Sequence, residues 1–174
     1  QIIKEAITKR SGPIGFDEFM DMALYYPGLG YYSSGVTKFG EQGDFITAPE
    51  TSDLFGYCLA RQCDEFINGE NDILEFGAGT GILATQILFE LGRLDNLPNK
   101  YYILELSAEL RYRQKQTIGK VLPEIIDRVV WLDSLPSDFS GVVIANEVLD
   151  AIPAKRLICL DGTFYELVVN WDNH

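Results

Sequence analysis

Glu75-Phe76-Gly77-Ala78-Gly79-Thr80-Gly81 follows the apolar pair Ile73-Leu74 and opens a stretch of helical apolar spacing, the position at which a strand turns into a helix. Glycine lacks Cβ, so such a bend can take positive φ and let a ligand lie directly against peptide groups. A dinucleotide fingerprint would place its third glycine where Ile82 stands. Here the glycines fall at 77, 79 and 81, with an acid two positions before the first, so a nucleotide-type cofactor other than a dinucleotide is expected. The plain alternative is a glycine-rich turn that only joins strand to helix.

Working outward, residues 72–76, 101–106, 128–132 and 141–145 read as strands, and 80–92 and 107–119 as helices. Such alternation predicts an α/β fold with a parallel sheet. Before it, Ile2, Ile3, Ala6 and Ile7 mark one amphipathic helix, ended by Ser11-Gly12-Pro13. Phe16, Phe19, Met20, Ala23 and Leu24 mark a second, with Asp17 as its expected cap and Pro27-Gly28 as its stop. Leu54 to Ile67 form a third, closed by Gly69, with Cys58 and Cys63 expected on its buried face. Pro27 to Pro49, rich in glycine and in aromatics such as Tyr31, Tyr32, Phe39 and Phe45, reads as a long loop or a set of short strands. It serves either as a functional cover or simply as an anchored connection. Asp161-Gly162 between two apolar runs predicts a β-hairpin near 157–170.

The 174 residues suffice for one ordinary domain with a core, and 47% are hydrophobic. No apolar run reaches membrane-span length, so no membrane insertion is expected. Fourteen basic against 26 acidic residues, a net charge of −12, argue against a nucleic-acid partner, whose binding needs clustered Lys and Arg. The single histidine is His174, which leaves neither a histidine metal site nor a Ser-His-Asp triad to build. The three cysteines contain no Cys-x-x-Cys pair.

Ligands of open α/β sheets bind at the carboxyl ends of the strands. The first end carries Glu75 with Gly77, Ala78, Gly79 and Gly81; the second ends in Glu105, close to the roughly 20-residue spacing at which such folds place a ribose-binding acid. A solvated strand-end acid is the alternative. The third ends in Asp133-Ser134, able either to reach an adenine amine or to cap a turn before Pro136. The fourth runs into Asn146, Glu147 and Asp150, where one helical turn would put both carboxylates on one side; an Asx turn is the plainer reading.

The glycine spacing resembles motif I of S-adenosylmethionine-dependent methyltransferases. Phe19-Met20 with Ala23-Leu24-Tyr25, Gly30-Tyr31-Tyr32, Gly43-Asp44-Phe45, Thr47-Ala48-Pro49-Glu50, Glu105-Leu106-Ser107, Asn146-Glu147, Leu149-Asp150-Ala151 and Pro153 together resemble the MidA-like methyltransferases. These are bacterial relatives of the mitochondrial complex I assembly arginine methyltransferase. Ala154 stands where the family pattern suggests valine.

The resemblance implies a class I, Rossmann-like methyltransferase sheet using S-adenosyl-L-methionine. It further implies a protein substrate, arginine in the characterised eukaryotic member, and leaves room for a homodimer. The compartment would be the bacterial cytoplasm or, in a eukaryote, the mitochondrial matrix. Residues 1–70 would form a helical and loop extension over the cofactor, with Thr47, Pro49 and Glu50 near it, and 71–174 the cofactor-binding core. Asn146, Glu147 and Asp150 would face the methyl acceptor, with Glu50 or Asp44 as a second acidic source. Four sheet strands and a hairpin are too few for a complete sheet of this class, and the chain starts at Gln1, so a C-terminal truncation is expected. A non-catalytic S-adenosylmethionine-binding assembly factor is the alternative function; a nicotinamide-dependent dehydrogenase would need a different loop.

Overall fold

The computed structural model describes residues 1–33 and 47–172. Its helices are α1 (Ile2–Arg10), α2 (Phe16–Tyr25), α3 (Ala48–Thr51), α4 (Asp53–Asp64), α5 (Ile82–Arg93) and α6 (Ala108–Val121). Its strands are β1 (Ile14–Gly15), β2 (Asp72–Phe76), β3 (Tyr101–Leu104), β4 (Val129–Leu132), β5 (Gly141–Ile144), β6 (Arg156–Leu160) and β7 (Thr163–Val169). The chain divides into two compact units, one of Gln1–Val36 with Leu149–His174 and one of Thr37–Val148.

The second unit is the α/β body. Its sheet is parallel, in the order β4-β3-β2-β5, with Ile73 opposite Tyr101 and Val142, and Tyr101 opposite Val129. Parallel strands need crossover connections, and the helical segments α5 and α6 supply two of them. Ile87, Leu88 and Leu91 of α5, Ile73, Tyr101 and Ile103 of the sheet, and Ile118 of α6 are fully buried together. Helix α4 lies against α5 through Ala60 and Cys63. That packing row passes by Cys58, which is exposed rather than on the buried face expected of it, while burial pushes the Cys63 thiol up to about 11. Ser52, not a residue inside the helix, caps α4 by accepting the Leu54 N–H at 3.2 Å. Across the same interface the buried Glu90 carboxylate binds Arg61 at 3.0 Å, and within α5 it binds Arg93 at 2.8 Å.

The first unit carries an antiparallel sheet in the order β1-β7-β6. Asp161 and Gly162 turn the β6–β7 hairpin with φ of 49° and 79°, the two positive values a type I′ turn requires. Ile14 pairs with Val169 and Gly15 with Val168. Helix α2 starts from Gly15 without a side-chain cap; Asp17 lies inside its first turn, where a carboxylate still favours the N-terminal end of the helix dipole. After α2 the backbone folds back, Tyr31 N–H donating to Ala23 O and Tyr32 N–H to Leu24 O, which stacks the Tyr25 and Tyr32 rings at 5.6 Å. Gly43, Asp44, Phe39 and Phe45 of the expected loop, and His174, lie outside the described residues.

This partition differs from the one expected at residue 70. Residues 47–70 join the body that holds the glycine loop, whereas the first two helices share a unit with the hairpin because a two-residue strand ties them to β7.

Candidate functional site

The site is built where β2, β3 and β4 end. Gly77 N–H donates to Leu104 O at 3.0 Å, anchoring the start of the loop to β3, and Gly81 N–H closes a turn on Ala78 O at 2.8 Å. Gly77, Gly79 and Gly81 have φ of 57°, 53° and 85°, a region that L side chains avoid. Their surroundings differ. A Cβ on Gly79 would meet nothing within 4 Å, and one on Gly77 only Val148 Cγ2 at 3.4 Å. One on Gly81 would meet Gln114 Cα at 3.0 Å. Gly79 and Gly77 therefore keep a surface open, while Gly81 lets the loop seat on α6. Ala78 is buried in the core.

Two acids stand behind this loop. Glu75 is 2% exposed and accepts from the Tyr101 hydroxyl at 2.8 Å. Burial, reinforced by the neighbouring Glu105 charge and opposed by the Tyr101 hydrogen bond, pushes its carboxyl up to about 7. Tyr101 itself is raised well above the usual phenol range by burial and by Glu75. Glu105 lies just past the end of β3. Burial also raises its carboxyl, against the Ser107 and Leu106 N–H groups, Gln114 and Arg111, which favour its charged form. Ser107 N–H reaches Glu105 Oε1 at 2.9 Å, and the Ser107 hydroxyl then caps α6.

Arg111 ties the ends of β3 and β4 together. Its Nε donates to Glu105 O at 2.6 Å and its other nitrogens to Leu132 O and to Asp133 Oδ1. Asp133 is thereby placed beside Glu105's own loop with its side chain 91% exposed, and Ser134 next to it is exposed. The Thr-Ala-Pro-Glu segment joins the same site. Thr47 begins α3, Pro49 is buried with its carbonyl accepting from Gln86 at 2.8 Å, and Glu50 Oε1 accepts the Thr80 hydroxyl of the glycine loop at 3.1 Å.

Asn146 is half-buried beyond β5, and its neighbour Val148 lies against Gly77. The helical turn expected through Glu147 and Asp150 is not formed. Glu147 takes φ of 53°, which no helix accommodates, and a separate 3-10 turn spans Leu149–Ala151. Asp150 belongs to the other unit, where the Ala151 carbonyl accepts from the Tyr25 hydroxyl at 2.7 Å and Asp150 adds to the burial that raises Tyr32.

Gln114, Arg111, Trp131 and Tyr101 take part in the site without having been singled out by motif, and Thr80 does so from within the glycine loop, where no role is expected of it. For Gln114 there was a signal: it interrupts the apolar row Leu110–Ile118 of α6 with a polar side chain. Among the described residues no group of three or more His, Cys, Asp or Glu side chains is placed to hold a metal ion, and no helix is long and apolar enough to cross a membrane.

The residues present fit S-adenosylmethionine. The surface over Gly79 is one a side chain would fill, a hydrogen-bonded carboxylate stands at the next strand end, and a second at the strand after that.

Residues 58–174 match the family model described as "Putative S-adenosyl-L-methionine-dependent methyltransferase". The chain is similar to the mitochondrial protein arginine methyltransferase NDUFAF7 of Bos taurus, 36% identical over 94% of this chain and 43% of that protein. The Xenopus laevis counterpart is 29% identical over 94% of this chain and 44% of its own length. The crystal structure of a COG1565 superfamily member from Burkholderia thailandensis, bound to S-adenosyl-homocysteine, is 40% identical with a TM-score of 0.79, covering 99% of this chain and 49% of that one. The chain thus spans less than half the length of the curated relatives it matches.

Proposed function

Since the chain belongs to this family of S-adenosyl-L-methionine-dependent methyltransferases, we propose that it forms the cofactor-binding part of an enzyme that methylates a protein side chain. The observation that carries this reading is the open surface over Gly79, framed by Glu105 and by the Glu50–Thr80 hydrogen bond. Similarity to the mitochondrial protein arginine methyltransferase NDUFAF7 supports arginine as the acceptor; the MidA-like resemblance is what suggests a link to complex I assembly and a setting in the mitochondrial matrix or the bacterial cytoplasm.

When bound, S-adenosylmethionine supplies an electrophilic methyl group on a sulfonium centre. Gly77 and Gly79 would admit the ligand to the backbone, Glu105 would accept from the ribose hydroxyls, and Asp133 with Ser134 would reach the adenine amine. Thr47 and Pro49 would stand near the ligand with Glu50, which holds the loop through Thr80, and Glu75 sits buried behind the loop. The chain's task is then alignment, because an oriented encounter removes most of the entropic barrier.

A guanidinium keeps its proton and its delocalised charge at neutral pH, so a carboxylate that grips two of its N–H groups fixes the plane and biases the charge away from the attacking nitrogen. Glu147 is assigned that role, with Asn146 beside it, and the family resemblance assigns Asp150 to acceptor binding as well.

Titration calorimetry with S-adenosyl-homocysteine on the unaltered protein and on Gly79→Val tests the cofactor site. Binding lost in the variant is the expected result; equal binding removes the assignment. Transfer of a labelled methyl group to arginine in a cell extract, read by mass spectrometry, separates an enzyme from a binding factor.

A further inference from the structure

Gln114 of α6 is fully buried, and its amide is engaged at both ends. Nε2 donates to Gly79 O at 3.0 Å and to Glu105 Oε2 at 3.1 Å, while Oε1 accepts from Trp131 Nε1 at 2.9 Å. An indole N–H can only donate, so Trp131 decides which end of the amide is oxygen and turns both amide hydrogens toward the loop and the carboxylate. The same residue touches the loop again, its Cα lying 3.0 Å from where a Gly81 Cβ would be. One side chain therefore joins three strand ends: the glycine loop after β2, Glu105 after β3, and Trp131 in β4.

We infer that Gln114, oriented by Trp131, is a positioning residue that holds the Glu105 carboxylate and the Gly79 carbonyl in the arrangement that receives the adenosine half of the cofactor. The inference rests on the cofactor reading above, in which Glu105 binds the ribose. Ser107 N–H occupies a lone pair on one carboxylate oxygen and Gln114 a lone pair on the other. A carboxylate offers about four such positions; with the Leu106 N–H also favouring its charged form, acceptor capacity is left for a ligand hydroxyl, and rotation of the group is blocked before ligand arrives. Leucine or methionine would suit the apolar row of α6 equally well; only an amide supplies two donors and one acceptor here. A buried polar network with all its members satisfied specifies one arrangement.

The test uses S-adenosyl-homocysteine, which binds without turnover, in calorimetric titrations of the full chain and of Gln114→Met, Glu105→Gln and the double variant. Gln114→Met is expected to weaken binding roughly 10-fold or more, the scale of one hydrogen bond to a charged group. In the Glu105→Gln background the same change should cost less, about 3-fold, because only the contact to the Gly79 carbonyl remains to be lost. Unchanged affinity, or an equal loss in both backgrounds, overturns the inference. Trp131→Phe keeps the ring and removes the donor, and should reproduce the coupling to Glu105 in smaller measure; full affinity there also overturns it.

A ligand-free readout comes from carbon-13 NMR titration of the Glu105 carboxyl, which should move up when Gln114 becomes methionine. The other groups facing it, Glu75 from β2, Arg111 from α6 and the Ser107 and Leu106 N–H groups, are untouched by the substitution. A titration that does not move overturns the positioning role. If the unaltered chain binds no S-adenosyl-homocysteine, the cofactor reading fails and this role with it; binding without coupling defeats the role of Gln114 alone.

Discussion

Alanine at Gly81 and alanine at Gly79 make the same chemical change two residues apart, and the structure assigns them opposite consequences. Both sites have positive φ, 85° and 53°, and forcing an L side chain there costs about 1–2 kcal/mol. Both substitutions also restrict the unfolded chain, which offsets about 0.4–1 kcal/mol at either position. These terms cancel in the comparison. What remains is contact: at Gly81 the new Cβ meets Gln114 Cα at 3.0 Å and Cβ at 3.3 Å, and at Gly79 it meets nothing within 4 Å. The Gln114 Cα belongs to the backbone of α6 and cannot step aside as a side-chain tip could. Overpacking of this kind costs about 1–3 kcal/mol, so Gly81→Ala should be less stable than Gly79→Ala by that amount. Urea unfolding with unchanged m-value measures the difference. Affinity should run the other way in proportion to stability: Gly79→Ala folds nearly normally yet loses at least about 10-fold in S-adenosyl-homocysteine binding, or ~1.4 kcal/mol. Equal unfolding midpoints would refute the packing role of Gly81, and full affinity in Gly79→Ala would refute the open surface as a ligand site.

Glu75 gives a pH signature. Its carboxyl is raised from 4.5 to about 7, so between those values the native state holds a proton that the unfolded chain has lost, and stability falls as pH rises through that window. The full penalty above neutrality is about 3 kcal/mol, and Glu75→Gln should flatten the curve and exceed the unaltered protein in stability at pH 8; a parallel pH profile would show that the carboxyl is not buried as described. Glu147→Ala and Asp150→Ala should each slow methyl transfer at least roughly 10-fold with S-adenosyl-homocysteine affinity nearly unchanged, whereas a matching loss of affinity would move them from acceptor to cofactor. Glu90→Gln, which loosens Arg61 and Arg93 from a carboxylate 1% exposed, should cost about 1–3 kcal/mol in thermal or urea unfolding, while Glu166→Gln at the exposed Lys155 pair should cost under about 1 kcal/mol. Equal effects would mean that burial of Glu90 confers no added strength.

The parallel sheet was legible because its signals are local. Each strand is a short apolar run, the crossovers through α5 and α6 have helical spacing, and the loop at 77–81 announces itself by composition. The place of Glu105 at a strand end was legible from the apolar run before it, and Asp161-Gly162 from its turn chemistry. Gln114 was not, since its three partners, Gly79, Glu105 and Trp131, come from three different crossings of the sheet. Cys58 was misplaced because a helix of broad apolar composition does not say which row meets its neighbour. The break between Glu147 and Asp150 depends on one residue with φ of 53°, for which a glutamate gives no warning. Ile14-Gly15 is too short to show any alternation, yet its pairing with Val168 and Val169 settles which unit the first two helices enter.

That last pairing has a consequence for how the nascent protein matures. Residues 37–148 leave the ribosome as one uninterrupted run, whereas the unit containing β1 is split around them. At about 5–20 residues per second, the two-residue strand waits roughly 10–30 s for Val168 and Val169 to be synthesised. Ile14, 1% exposed once folded, is without its strand partner β7 for that interval, so the pairing that ties the first two helices to the hairpin is a late event in synthesis.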